Sequence, residues 1–206
     1  MPQPFRTPSA LVLALALGVG ACADSPTAPA SAADQAALGT AAPRRSTAKF
    51  EIDYMTFSID HHTAGIEMAE LCIDRAEHAV LIALCEQSLV SQREEIATLQ
   101  EWLRDWYGIS YEGTVPQSAR EDLRRLAQLD GEEFEDDFLT EFSKHHLRII
   151  KESDKAVRRA YHSELRDMAR MIIAAQSQGV IMMQNWDCQW YDDCRQGLKR
   201  QAQKYA

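Results

Sequence analysis

Two pairs of adjacent histidines, His61-His62 and His145-His146, stand 84 residues apart in a chain of 206. Imidazole is the commonest protein ligand for transition metals, and four of them at one level of a helical scaffold can converge on an ion. Consecutive residues point about 100° apart on a helix, so one member of each pair can face an ion while the other orients or packs. Met68 falls on the same helical stripe as His61. A thioether beside imidazole favours a soft ion, copper and above all Cu(I), over magnesium or calcium. The same residues also read as structure. A buried imidazole needs partners for its nitrogens, and the register of a helical hairpin brings Glu95 near His62, with Gln92 one turn away. Gln176 repeats that relation at His146, although Gly179 stands in place of Glu95. A metal site and a polar layer that only fixes helix register both fit this set.

The spacing of 84 extends well past the pairs. His78 maps onto His162, Trp102 and Trp106 onto Trp186 and Trp190, and Tyr107 onto Tyr191, without a gap. Phe50, Asp53, Thr56, Gln92 and Gln100 map onto Phe134, Asp137, Thr140, Gln176 and Gln184. A self-match at one fixed period marks an internal duplication.

The elements that must carry these residues are helices. From Phe50 to Ala76, the residues Ile52, Met55, Ile59, His62, Ile66, Ala69, Ile73 and Ala76 alternate steps of three and four. A flanking stripe runs through Phe50, Tyr54, Phe57, His61, Gly65, Met68 and Cys72. Together they form the broad buried face of a bundle helix. The next run, Ile82, Cys85, Leu89, Gln92, Ile96, Leu99, Leu103 and Trp106, repeats the period after a short turn at Glu77 to Ala79. A connection that short makes the two helices antiparallel neighbours. The second copy predicts a helix from about Glu132 to Ala160 and another from Ser163, a good N-cap residue, to about Trp190. Gly108 ends the first hairpin, and residues 109–131 cross back with a short helix over Gln117 to Leu129. No useful period-two strand pattern occurs. The fold class is therefore all-α: a four-helix bundle over 49–195 made of duplicated hairpins, 50–108 and 132–192, joined by a long crossover, with a tail at 196–206.

The ends of the chain bear on location. Residues 1–21 hold one Arg and an apolar run from Leu11 to Val19, the layout of a secretory signal peptide and too short to span a bilayer. Val19-Gly20-Ala21-Cys22 resembles a bacterial lipobox, which makes Cys22 a lipidated N-terminus. Asp24 is third from that end rather than second, so the resemblance favours an outer-membrane anchor facing the periplasm. The Ala/Ser/Thr/Pro-rich stretch up to residue 48 reads as a flexible tether; such a chain spans roughly 25–30 Å. An exported chain meets an oxidising compartment, where disulfides persist. Cys72 and Cys85 lie symmetrically about the first hairpin turn, and Cys188 and Cys194 then pair near the end of the last helix. Metal-thiolate use is the rival for these four, but no Cys-x-x-Cys spacing supports it.

Two longer stretches carry a family resemblance. FSIDHHTAGIEMAE with the following EEIATLQEWLRDW, and LAQLDGEEFEDDFLTEFSKHH in the second copy, resemble the domain-of-unknown-function 305 family (DUF305) over about residues 50–190. The resemblance implies a ferritin-like four-helix bundle, commonly exported, with some members linked to copper binding through His and Met. It carries the family's His-His pair onto His61-His62, its following Met onto Met68, and the second pair onto His145-His146. The chain departs where Phe57 and Ser58 replace two methionines and Glu152 stands at the second-copy position of Met68. Fewer thioethers leave zinc, held by His alone or His with carboxylate, as a further candidate.

Other functions find less support. A net charge of −9 argues against nucleic acid as a partner. A di-iron oxidase needs two Glu-x-x-His motifs, and the chain has none; Glu141 precedes His145 by four. Neither a Gly-x-Ser-x-Gly elbow nor a phosphate-binding glycine loop occurs. The expectation is a non-enzymatic protein. The alternative to metal handling is a structural or interaction module, in which the tryptophans either cap the core or form an exposed patch for a partner.

Overall fold

The computed structural model describes residues 42–206 apart from Arg195. The signal peptide, Cys22 and the tether up to residue 41 lie outside the described residues.

Four long helices and two short ones make the fold: α1 (Arg45–Arg75), α2 (Ala79–Tyr107), α3 (Gln117–Leu126), α4 (Gly131–Arg159), α5 (Ser163–Trp190) and α6 (Gln196–Ala202). No strand occurs among the described residues. α1 pairs with α2 and α4 with α5 as hairpins, while α1 against α4 joins the two hairpins. α3 lies on α1 and α4, and α6 on α4 and α5. The fold is the four-helix bundle expected, and no described helix is long and apolar enough to cross a membrane.

Helix ends follow local chemistry. α2 stops at Gly108, whose φ of +66° is the left-handed conformation glycine adopts without strain. α4 opens with Glu132 and Glu133 in its first turn and closes with Arg158 and Arg159 in its last, matching the helix dipole. Four boundaries differ from expectation. α3 ends at Leu126 rather than Leu129. α1 starts at Arg45, so the last residues assigned to the tether are helical. His162, not Ser163, is the N-cap of α5; the Ser163 hydroxyl bonds Glu164 instead. The tail contains α6, because Leu198 and Ala202 find apolar cover against Leu147, Ile150 and Val180.

Two apolar clusters fill the bundle. One gathers Met55 and Ile59 of α1, Leu99 and Leu103 of α2, Ile149 of α4 and Leu165 to Ile172 of α5. The other gathers Met68, Leu81, Phe134, Phe138, Phe142 and Met183. On all four long helices the sequence between the clusters holds the buried polar residues: His61 and His62, Gln92, His146, Gln176. Disulfides join Cys72 to Cys85 and Cys188 to Cys194. The first staples the α1–α2 hairpin, with Cα atoms 6.3 Å apart. In the other hairpin the positions 84 residues on are Ala156 and Ala169, both buried.

Candidate metal centre

The middle of the bundle brings the two histidine pairs together. The His61 and His145 rings stack with centroids 3.7 Å apart, and His61 Nε2 lies 3.0 Å from the His145 carbonyl oxygen. A carbonyl only accepts, so Nε2 carries the proton and Nδ1 is left as a bare lone pair. That Nδ1 is buried and has no hydrogen-bond partner among the described residues. Burial, then the neighbouring His145 and His62, hold the His61 imidazole well below its usual pKa. Burial does the same to His145, aided by His146, His62 and Arg148. His146 is pushed down to about 3, again chiefly by burial. These three rings are neutral at any physiological pH, which is the protonation state that binds a metal.

Gly65 makes this approach possible. A Cβ there would stand 2.2 Å from Gln92 Oε1 and 2.9 Å from His145 Nε2. With only hydrogen at that position, both side chains reach the backbone of α1 one turn after His61.

The two copies then diverge. His62 has partners on both ring nitrogens: Nδ1 is 3.2 Å from Gln92 Oε1, and Nε2 is 2.9 Å from Glu95 Oε2. The second contact is within ion-pair distance but is not aligned as a hydrogen bond, since both atoms count as unpartnered by geometry. His146 lacks these partners. Its Nδ1 and the Gln176 Oε1 each have no hydrogen bond among the described residues, so the expected Gln176 contact is not made. Where Glu95 stands in the first copy, Gly179 leaves bare backbone; a Cβ there would be 3.4 Å from His146 Nε2.

The structure thus gathers His61, His62, His145, His146, Gln92 and Glu95, with Gln176 alongside. Met68 lies elsewhere, buried in the apolar cluster with Cys72 and Phe142, about 10 Å along α1 from His61. The histidines do not converge on one point in this conformation. Among the described residues, the group whose ligand atoms all lie within 4.8 Å of one another is Asp136, Asp187 and Asp193. Stacked imidazoles direct their lone pairs in parallel planes, so a shared ion requires one ring to rotate. The donor set nonetheless fits a transition metal: imidazoles that burial keeps neutral, with ring nitrogens at His61 Nδ1, His145 Nε2 and His146 Nδ1 that have no hydrogen-bond partner among the described residues.

Reading the sequence alone overlooked a second pair of buried polar sites, at the two ends of the bundle. Glu51 Oε1 accepts the backbone N–H groups of Tyr161 and His162, at 2.7 and 2.9 Å. Its Oε2 accepts from His162 Nδ1 at 2.9 Å and from the Tyr107 hydroxyl. Glu135 repeats this with Glu77 and His78 N–H at 2.7 and 2.9 Å, His78 Nδ1 at 2.6 Å and the Tyr191 hydroxyl. Each carboxylate caps the N-terminus of a helix in the opposite hairpin, where free N–H groups and the helix dipole favour an anion. Trp106 stacks on His162 and Trp190 on His78, both at 3.8 Å. The half-buried tryptophans therefore cap the structure, as one of the two expectations held. Glu51 and Glu135 are themselves 84 residues apart; the repeat contained the signal, but an acidic residue at a helix start reads as solvated.

A duplicated all-α bundle with a layer of neutral histidines at its middle is the class that fold and site define. The chain belongs to the family of the domain of unknown function DUF305, which matches residues 51–187 and, overlapping, 27–103. Among solved structures the fold is similar to CopM in the Cu(I)-bound form, with a TM-score of 0.62 and 23% identity over 68% of this chain and 97% of CopM. It is similar to CopM in the Cu(II)-bound form at 0.60 and 25% identity, over 68% and 98%. A DUF305 fragment from Deinococcus radiodurans matches at 0.60 and 20% identity, over 68% and 96%. No curated protein matches the chain.

Proposed function

We propose that this protein is a lipid-anchored, extracytoplasmic bundle that binds a transition metal, copper before zinc, for metal handling or tolerance and without catalysis. The observation that carries the reading is the layer of imidazoles, kept neutral by burial, in which His61 Nδ1, His145 Nε2 and His146 Nδ1 have no hydrogen-bond partner among the described residues; His61 and His146 are buried and His145 is half-buried. His62 completes the pairs, with Gln92 and Glu95 orienting it. Uncharged imidazole nitrogens suit copper and zinc alike. Solved structures of the similar CopM carry Cu(I), Cu(II) and Ag. Met68 enters the ligand set only if α1 side chains rearrange. The anchor reading rests on the lipobox at Cys22 and is supported by disulfides, which belong to an oxidising compartment.

The second reading is a polar layer that fixes the bundle, as part of a structural or interaction module. The contacts of His62 with Gln92 and Glu95 favour it. One experiment separates the two. Purified protein is titrated with Cu(I), Cu(II) and Zn(II), and compared with a variant carrying His62→Ala and His146→Ala. Defined uptake by the parent and none by the folded variant supports the metal site. Equal uptake by both places the site elsewhere, and no uptake by the parent leaves the polar layer. Radiolabelled palmitate incorporation, abolished by Cys22→Ser, tests the anchor.

A further inference from the structure

The crossover between the hairpins does more than connect them. Residues Ile109 to Pro116 run along α1 as a strap whose side-chain ties converge on Asp60 of α1, with one further bond from Gln100 of α2. Asp60 Oδ2 accepts the Tyr111 hydroxyl at 2.8 Å. Its Oδ1 accepts the Thr114 N–H at 2.7 Å and the Thr114 hydroxyl at 3.2 Å. Gln100 Nε2 donates to the Tyr111 carbonyl at 3.0 Å. Gly113 is seated so closely on α1 that a Cβ there would lie 2.3 Å from Thr63 Oγ1. The strap leads straight into Pro116 and Ala119 at the start of α3. These two residues, with Phe57, Asp60, Ala64 and Arg148, wall a cavity of about 80 Å³ whose floor is His61 and His145. His61 is only 5% exposed, and the cavity meets two histidines that each have a ring nitrogen without a hydrogen-bond partner among the described residues.

We infer that this cavity is the port by which an ion reaches the histidine layer, and that the strap is its lid, latched at Asp60. The inference rests on the metal-binding reading above. Asp60 directly precedes His61 in α1, so the latch and the first ligand share one helical turn. Rotation of the His61 ring to face an ion shifts the wall that Pro116 and Ala119 complete. Asp60 is a positioning residue here, not a ligand, because both of its oxygens are engaged by the strap. The second copy has no such latch: the position 84 residues after Asp60 is Lys144, and the segment lying there is α6, packed on Leu147 and Ile150.

Stopped-flow transfer of Cu(I) from its bicinchoninate complex to the full chain tests this. Tyr111→Phe with Thr114→Val removes the side-chain hydroxyls that tie the strap and leaves the bundle alone. Uptake and release should both accelerate, by about ten-fold given the worth of two net hydrogen bonds, while the equilibrium affinity stays unchanged. Ala119→Phe fills the port and should slow both rates with the stoichiometry intact. Asp60→Ala should behave as the hydroxyl variant does, and hydrogen exchange at the Thr114 amide should quicken in step. A parent that takes up Cu(I) at a rate neither set of changes moves overturns the port while sparing the metal site. A parent that takes up none overturns both.

Discussion

The ends and the middle of this bundle treat buried polar groups in opposite ways. At each end a glutamate with two oxygens receives four donors, from two N–H groups, an imidazole and a phenol. In the middle, one ring nitrogen each of His61, His145 and His146 has no hydrogen-bond partner among the described residues. Both arrangements are duplicated with the same period, so repetition alone does not mark function. A saturated network holds a structure together, whereas an unsaturated one is a standing expense that packing must offset. The middle is where a ligand would repay it.

Breaking an end should have the largest effect. Glu135→Ala strips the cap from α2 and leaves the His78 ring and the Tyr191 hydroxyl without their acceptor. Loss of a buried, hydrogen-bonded charge is worth about 3–5 kcal/mol, read as a lowered urea midpoint with metal uptake kept in the folded fraction. Glu51→Ala should match it, since the networks are copies. Next comes the staple that only one hairpin has. Cys72→Ala with Cys85→Ala reproduces the Ala156 and Ala169 pair of the other hairpin and should cost about 3 kcal/mol by the loop-closure argument, measurable as a fall in thermal midpoint.

Acid sharpens the contrast by acting on both regions in different windows. His146 is folded with a pKa of about 3 against an ordinary 6.5. A depressed histidine means the unfolded chain binds the proton more readily, so stability is full above pH 6.5 and falls as pH drops toward 3. The slope is about 1.4 kcal/mol per pH unit, and His61 and His145 add in the same direction. The Glu135 carboxyl, whose burial is outweighed by bonds from His78, Tyr191 and Glu77, lies below its ordinary 4.5. Its contribution is present above that value and is lost only as pH falls further. Urea melts from pH 7 to 4 should therefore show loss from the histidines first, and His146→Leu should flatten the upper part of the curve.

The smallest effect is the most telling. At pH 7, His146→Leu should change the stability of the metal-free protein by less than about 1.5 kcal/mol, because the ring gives up only its interaction with the Phe142 backbone and is replaced by an apolar group of similar size. A large loss would mean that His146 has further partners and that the middle resembles the ends. His62→Leu should cost more, since it abandons Gln92 and Glu95.

Much of this was legible beforehand. Steps of three and four, together with Gly108 and the short turns, determined four helices and their antiparallel hairpins, because local periodicity and turn length leave few other ways to bury those faces. The same period named the histidines and tryptophans, and the symmetry of Cys72 and Cys85 about a turn named a disulfide. The end networks escaped because a glutamate near the start of a helix is ordinarily solvated; only the docking of the opposite hairpin turns it into a cap. Gln176 was placed beside His146 by analogy with Gln92, but without the carboxylate of Glu95 nothing draws the two together. The strap gave no periodic signal at all.

By itself, then, the sequence determined membership in the family, the repeat, the helices and the short list of histidines, all of which follow from spacing along one chain. Tertiary structure decided which polar groups are satisfied. It set Glu51 on His162 and Glu135 on His78, stacked His61 on His145, withheld from His146 the side-chain partners that His62 has, and tied the crossover to α1 at Asp60. The physical reason is range: a helix reads its own next turn, but the partner of a buried donor comes from another helix, 57 residues away for His78 and 111 for His162, and only packing says which one arrives.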